Sequence, residues 1–181
     1  MKFSLKACSP AEVAAEVVAV SLASDGSFSP ALAVLDAASG GFFAAQAEKG
    51  NLPPEGALRL FVDVPGLAAP RVAVVRHDGS DRALQRATAT VQQLADESGW
   101  AKVALLLGSG VDAIALMARA AAHDAYRFDA FKSNAGKARK HEWVFVCDKA
   151  EKKAAQAALD LARAWAAGST LTRDLVNTPP N

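Results

Sequence analysis

Histidines, cysteines and paired carboxylates carry most protein chemistry, and this 181-residue chain scatters the few it has. His77, His123 and His141 lie far apart, and none has a His or Cys partner at the spacing of a zinc site. Each reads as a surface or satisfied core histidine. Cys8 and Cys147 sit in or beside apolar stretches and read as buried thiols. An apolar strand around Val144-Phe145-Val146-Cys147 raises a thiol's pKa, so Cys147 is expected to be inert rather than nucleophilic. A di-metal hydrolase needs several carboxylates converging on two ions. Here Asp96 and Glu97 end a helical pattern, while Asp124 and Asp129 flank the start of a strand pattern. Dispersed in this way they read as solvated surface charge.

Two local features could bind rather than react. Gly108-Ser109-Gly110 follows an apolar run and precedes a helical pattern, so its backbone amides could cradle an anion. The lysine of a P-loop and the third glycine of a dinucleotide fingerprint are both missing. Leu107 and Val111 stand where a nucleophile elbow has glycines. A plain strand-to-helix turn is the favoured reading of this loop. The second feature is the basic loop with Lys132, Lys137, Arg139, Lys140 and His141, which could touch nucleic-acid phosphate or another subunit.

Composition bounds these readings. The chain is 51% hydrophobic and 22% charged, which suits one globular domain with a real core. Twenty basic and 19 acidic residues leave a net charge of +1. Such a balance supplies no long-range field for nucleic acid or an anionic membrane, which argues against a dedicated DNA module. No apolar run approaches the ~20 residues of a membrane-spanning helix. With no signal-peptide pattern and two lone thiols, a cytoplasmic location is expected.

The elements that must position these residues are read from periodicity. Phe3 and Leu5 alternate like a strand, and Val13 to Leu22 forms a valine-rich one. Ser29-Pro30 opens a helix that Ser39-Gly40-Gly41 stops. Phe42 to Gly56 has no clear period and ends as a loop. Leu58 to Val64 and Arg71 to Arg76 read as strands around the Pro65-Gly66 turn. Ala83, Leu84, Ala87, Val91, Leu94 and Ala95 share a helical face, capped by Ser80 or Asp81 and ended by Gly99. Lys102 to Leu107 is a buried central strand, followed by a helix facing inward through Ile114, Ala118 and Ala121. Tyr126 to Phe131 and Trp143 to Cys147 read as further strands. A last helix starts near Lys149, with Ala154, Ala158, Leu161, Ala162 and Trp165 as its expected buried face and Gly168 as an end or kink. Strand and helix alternate, which gives an α/β class with three layers: a mixed, mostly parallel sheet flanked by helices.

The C-terminal residues carry the most specific pattern. Arg173-Asp174-Leu175-Val176-Asn177-Thr178-Pro179-Pro180-Asn181 resembles the segment joining the two domains of leucyl aminopeptidases, peptidase family M17. Arg173, Leu175, Asn177, Pro179 and Asn181 match that family's arginine–leucine–asparagine–proline–asparagine spacing. Ala125 to Lys132 is similar to the family's tyrosine–x–phenylalanine–x–x–tyrosine–lysine strand, with Phe131 replacing the usual tyrosine. Met1 to Arg76 agrees in pattern alone.

This resemblance implies a macrodomain-like fold for residues 1–170 and an interdomain linker over 171–181. It also implies a separate C-terminal catalytic domain that holds two divalent metals, zinc or manganese, and removes N-terminal residues from peptides. No metal ligand, catalytic residue or cofactor is then expected in this chain. The expected partners are the chain's own catalytic domain and the other subunits of a hexamer, with exposed apolar surface where the catalytic domain docks. Two alternatives stand beside this reading. One is a stand-alone nucleotide or ADP-ribose module using Gly108, Ser109 and Gly110. The other is a DNA-contacting module using the loop Lys132 to His141, since some bacterial members of the family regulate by binding DNA.

Overall fold

The computed structural model describes residues 2–124, 126 and 141–178. The sequence-expected strand from Tyr126 to Phe131 and the loop residues Lys132, Lys137, Arg139 and Lys140 lie outside the described residues, Tyr126 excepted. Asp129, Pro179, Pro180 and Asn181 lie outside them too.

Among the described residues, six strands form one sheet: β1 (Lys2–Lys6), β2 (Val17–Ala23), β3 (Leu58–Val62), β4 (Arg71–His77), β5 (Lys102–Leu106) and β6 (Glu142–Val146). Their order is β1-β6-β5-β2-β4-β3, all parallel except β3, which pairs antiparallel with β4 at one edge. The sheet is covered by the helices α1 (Pro30–Ala38), α2 (Phe42–Glu48), α3 (Asp81–Ser98), α4 (Gly110–Asp124) and α5 (Lys152–Asn177). Strand alternation divides the core in two. Val17, Ala19, Val103, Leu105, Trp143 and Phe145 face α3, α4 and α5. Val18, Val20, Leu22, Val72, Val74 and Leu106 face α1 and α2. Central strands buried on both faces read as continuous apolar runs, as β5 does. The expected three-layer α/β class is the observed one.

Three elements differ from the sequence expectation. β2 begins at Val17, not Val13. Val13 is buried, but it follows a short 3₁₀ turn at Pro10–Glu12 and makes its apolar contacts from irregular backbone. Phe42 to Glu48 is a helix rather than loop. Its N-cap is Gly41, which has no side chain to offer, so Asp36 Oδ1 accepts from the amides of Phe43 (2.7 Å) and Ala44 (2.9 Å). Phe43 then packs edge-on against Phe42 and Phe61.

The third difference concerns α5. Gly168 does not end the helix, which runs on to Asn177. Its core-facing residues are Ala155, Leu159 and Ala162. Leu161 and Trp165, expected inside, are 73% and 43% exposed. Small side chains let α5 lie close to the sheet, and the larger apolar ones turn outward. Leu171, Leu175 and Val176 continue that outward set. At ~100° per residue the five span an arc of about 140° on one side of the helix.

The segment from Arg173 to Asn177 is held against the end of α4 and Tyr126. Tyr126 Oη donates to Asp174 Oδ1 at 2.8 Å, and Asn177 Nδ2 donates to Tyr126 Oη at 3.4 Å. Arg173 lies over the Tyr126 ring at 4.5 Å and donates to the carbonyl of His123 at 3.1 Å. Desolvation, with the bond to Asp174 adding to it, pushes the Tyr126 phenol above its ordinary value. Arg173 and Asn177 of the C-terminal pattern thus clasp the end of α4.

Candidate functional site

Parallel strands bring their carboxyl ends to one edge of the sheet. β2 connects toward β4 on one side and β5 connects toward β6 on the other, so a crevice opens between their ends. The cavity there has a volume of about 690 Å³. β2 contributes Ser21 to Ala23, β4 contributes His77, and β5 leads into Leu107, Gly108 and Ser109. Three helices begin around its mouth: α1 at Pro30, α3 at Asp81 and α4 at Gly110.

Two of those helices carry serine caps. Ser29 Oγ accepts from the Leu32 amide at 3.2 Å, and Ser80 Oγ accepts from the Ala83 amide at 3.3 Å. Asp78 Oδ1 in turn accepts from the Ser80 amide (2.9 Å) and hydroxyl (2.7 Å). Those two bonds hold the Asp78 carboxyl below its ordinary value. Among the described residues, the first turn of α4 receives no side-chain cap. Its amides lack intrahelical partners and open toward the cavity. Gly110, at φ +81°, turns the chain into this helix. A Cβ on Gly108 would stand 2.8 Å from Ala113 Cβ and 3.2 Å from Leu84 Cδ2, so the loop lies flat against the helix that follows it.

His77 is buried, and its ring is fully used. Nδ1 accepts from the Gly79 amide at 3.1 Å, which places the hydrogen on Nε2, 3.2 Å from the Leu107 carbonyl. The ring ties the end of β4 to the end of β5 and leaves no nitrogen to serve as a base. Ser21 is 8% exposed, lines the same cavity, and its hydroxyl has no hydrogen-bond partner. A serine without an available base is a binding group rather than a nucleophile. Asp112 and Arg119 line the cavity from one face of α4, seven residues apart.

The other sequence candidates fall elsewhere. His141 is buried at the start of β6. Its Nδ1 faces the Trp100 carbonyl at 2.7 Å and its Nε2 faces Asp96 Oδ1 at 2.8 Å. The ring thus bridges the Trp100 carbonyl and Asp96, fastening β6 to the end of α3. His141 is therefore a structural anchor, not part of an exposed basic patch. Cys147 is buried, and desolvation followed by the nearby Glu151 and Asp148 charges pushes its thiol up, which fits an inert residue. Among the described residues, no three His, Cys, Asp or Glu side chains converge on a common point. The described part of the chain therefore offers no fit for a two-metal centre. Of the sequence candidates, Gly108 and Ser109 line this cavity and Gly110 opens the adjoining helix; Ser21, Asp78, Asp112 and Arg119 line it too, and the sequence did not single them out. A lone serine in the valine-rich β2 was the available signal.

Comparison with known proteins agrees with this geometry. Residues 17–135 match the family model of the cytosol aminopeptidase family, N-terminal domain. A probable cytosol aminopeptidase of Azoarcus sp. (strain BH72) is 34% identical across 100% of this chain, and another from Aromatoleum aromaticum is 32% identical across 100%. The chain spans 39% of the length of these curated relatives. Among solved structures, a tomato leucine aminopeptidase mutant superposes with a TM-score of 0.73 at 18% identity, covering 99% of this chain and 38% of that one. A Trypanosoma brucei macrodomain in complex with ADP superposes with a TM-score of 0.65 at 13% identity, covering 87% of this chain and 69% of that one. The fold is thus macrodomain-like, and this chain belongs to the cytosol aminopeptidase family as its N-terminal domain.

Proposed function

We propose that this domain is the non-catalytic, assembly half of a di-metal aminopeptidase. The observation that carries this reading is the outward apolar arc of α5, from Leu161 to Val176, on a helix clasped to α4 by Arg173 and Asn177. A large apolar arc on one helix is a surface built to be covered. The proposed cover is the catalytic domain of the same protein, which would hold two zinc or manganese ions and release N-terminal residues from peptides. The proposed setting is a cytoplasmic hexamer. No helix among the described residues is long and apolar enough to cross a membrane.

The expected result for the 181-residue chain alone is no hydrolysis of leucine-p-nitroanilide, with or without added zinc or manganese. Turnover above the metal-only background would overturn the assignment of this half as non-catalytic.

A second reading concerns the cleft and is compatible with the first. We propose that it takes a nucleotide-class ligand. The cavity at the ends of β2, β4 and β5 supports this, as does the likeness to a macrodomain solved with ADP. The lysines and arginine of the DNA-contacting alternative lie outside the described residues.

A further inference from the structure

We propose that a second groove, outside the cleft, binds an apolar carboxylate: a carboxyl group carried on a ring or branched side chain, as in an acylated amino acid or the last residue of a peptide. The groove lies between α3 and α4, with Trp165 of α5 completing its lining, and has a volume of about 600 Å³. Leu116, Arg119, Ala120 and His123 recur at three and four and form one stripe of α4. Ala89 and Ala120 are short, so they leave open volume beside the buried Leu116. Arg86 borders that volume from α3 and Arg119 from α4. Both are exposed, and neither guanidinium has a hydrogen-bond or ion-pair partner among the described residues. Among the described residues of the lining, Asp81 is the only acidic one, so the two arginines outnumber it.

The lining selects the chemistry of the ligand. Two guanidiniums on different helices offer planar forks of N–H donors, which match the paired oxygens of a carboxylate. Trp165 supplies an apolar wall. Trp100 and Trp143 are 7% and 0% exposed, whereas Trp165 is left 43% exposed, and covering such a ring is favourable. Asp81 disfavours a polyanion, and the Gln85 amide can pair with a peptide group next to the carboxylate. At about 600 Å³ the groove is far larger than a bare anion and within the size range of small-molecule sites. Arg119 also lines the cleft, but Arg86, Ala89, Ala120 and Trp165 line the groove alone, so binding at the two places can be told apart. Trp165 belongs to the outward arc of α5 as well, which the chain by itself leaves open.

Amide and indole NMR on the 181-residue chain tests this with N-acetylphenylalanine, N-acetylphenylalaninamide, acetate and inorganic phosphate as probes. N-acetylphenylalanine should shift the Trp165 indole N–H and the Ala89 and Ala120 amides saturably in the millimolar range. N-acetylphenylalaninamide should bind at least about tenfold more weakly, because it offers the arginines no charge. Acetate and phosphate should also bind more weakly, for want of an apolar body. Arg86→Gln should weaken N-acetylphenylalanine about threefold to tenfold without lowering Tm, because the guanidinium it removes makes no polar contact in the free protein. A tetrapeptide ending in phenylalanine separates the two sources of the carboxylate. Binding at least as tight as that of N-acetylphenylalanine assigns the groove to peptide ends, and weaker binding assigns it to small acids. The proposal is overturned if N-acetylphenylalanine moves none of the three reporters, if its amide or phosphate binds as tightly, or if Arg86→Gln binds it as well as the parent.

Discussion

Gly66→Ala should destabilise the domain by about 3 kcal/mol or more, lowering Tm by roughly 6–12 °C for a domain of this size. Gly66 turns between β3 and β4 at φ +74°, a region alanine enters only under strain. The larger cost is steric. A Cβ there would stand 2.2 Å from the Ala38 carbonyl oxygen and 3.2 Å from its carbon, and backbone cannot swing aside as a flexible side chain can. Ala38 ends α1, whose first residues form one wall of the cleft. Moving that end of the helix therefore disturbs the site as well as the core that Leu32 and Leu35 build. Gly56→Ala is the control. Gly56 has φ +73° but nothing within 4 Å of the added carbon, so strain alone of about 1 kcal/mol is expected. Equal melting temperatures for the two variants would remove the steric argument.

Leu175→Gln combined with Val176→Gln should have opposite consequences in two settings. In the chain alone both side chains are exposed, at 68% and 79%, so stability should stay within about 1 kcal/mol of the parent. A fusion of this chain to the catalytic region of the Azoarcus relative supplies the proposed cover. There the same side chains become buried apolar anchors, and losing central anchors of an interface typically costs about 2 kcal/mol or more, roughly thirtyfold in an equilibrium. The fusion should unfold in one transition as the parent and in two as the variant, with the first near the Tm of the isolated chain. A variant fusion that still melts in a single unchanged transition would show that the outward face of α5 is not the joint.

Much of this architecture was legible in the residues. The helix α3 shows why: its apolar positions recur at three and four, Ser80 caps its start, and Gly99 at φ 74° ends it, so local and tertiary preferences agree. The apolar run of β5 was legible for the same reason. Where the sequence misled, the deciding contact was remote or the pattern ambiguous. The cap of α2 comes from Asp36, upstream on another helix, so no signal at Phe42 announces it. In α5, periodicity supplied two apolar stripes and no rule for choosing between them. The sheet took the one lined with alanine, and Leu161 and Trp165 went outward. For the cleft, Gly108 to Gly110 could be picked out locally. Ser21, Asp78 and Arg119 acquire meaning only when parallel pairing sets the ends of β2, β4 and β5 side by side.

A docked catalytic domain would cover the outward face of α5 and slow the exchange of its amides. Amide hydrogen exchange over residues 165–177, compared between the 181-residue chain and the same chain fused to a catalytic region, tests it most directly. Exchange should be slower in the fusion, by at least about tenfold across Leu171 to Val176, with α3 unchanged as an internal reference. Identical exchange of that segment in both proteins would contradict it.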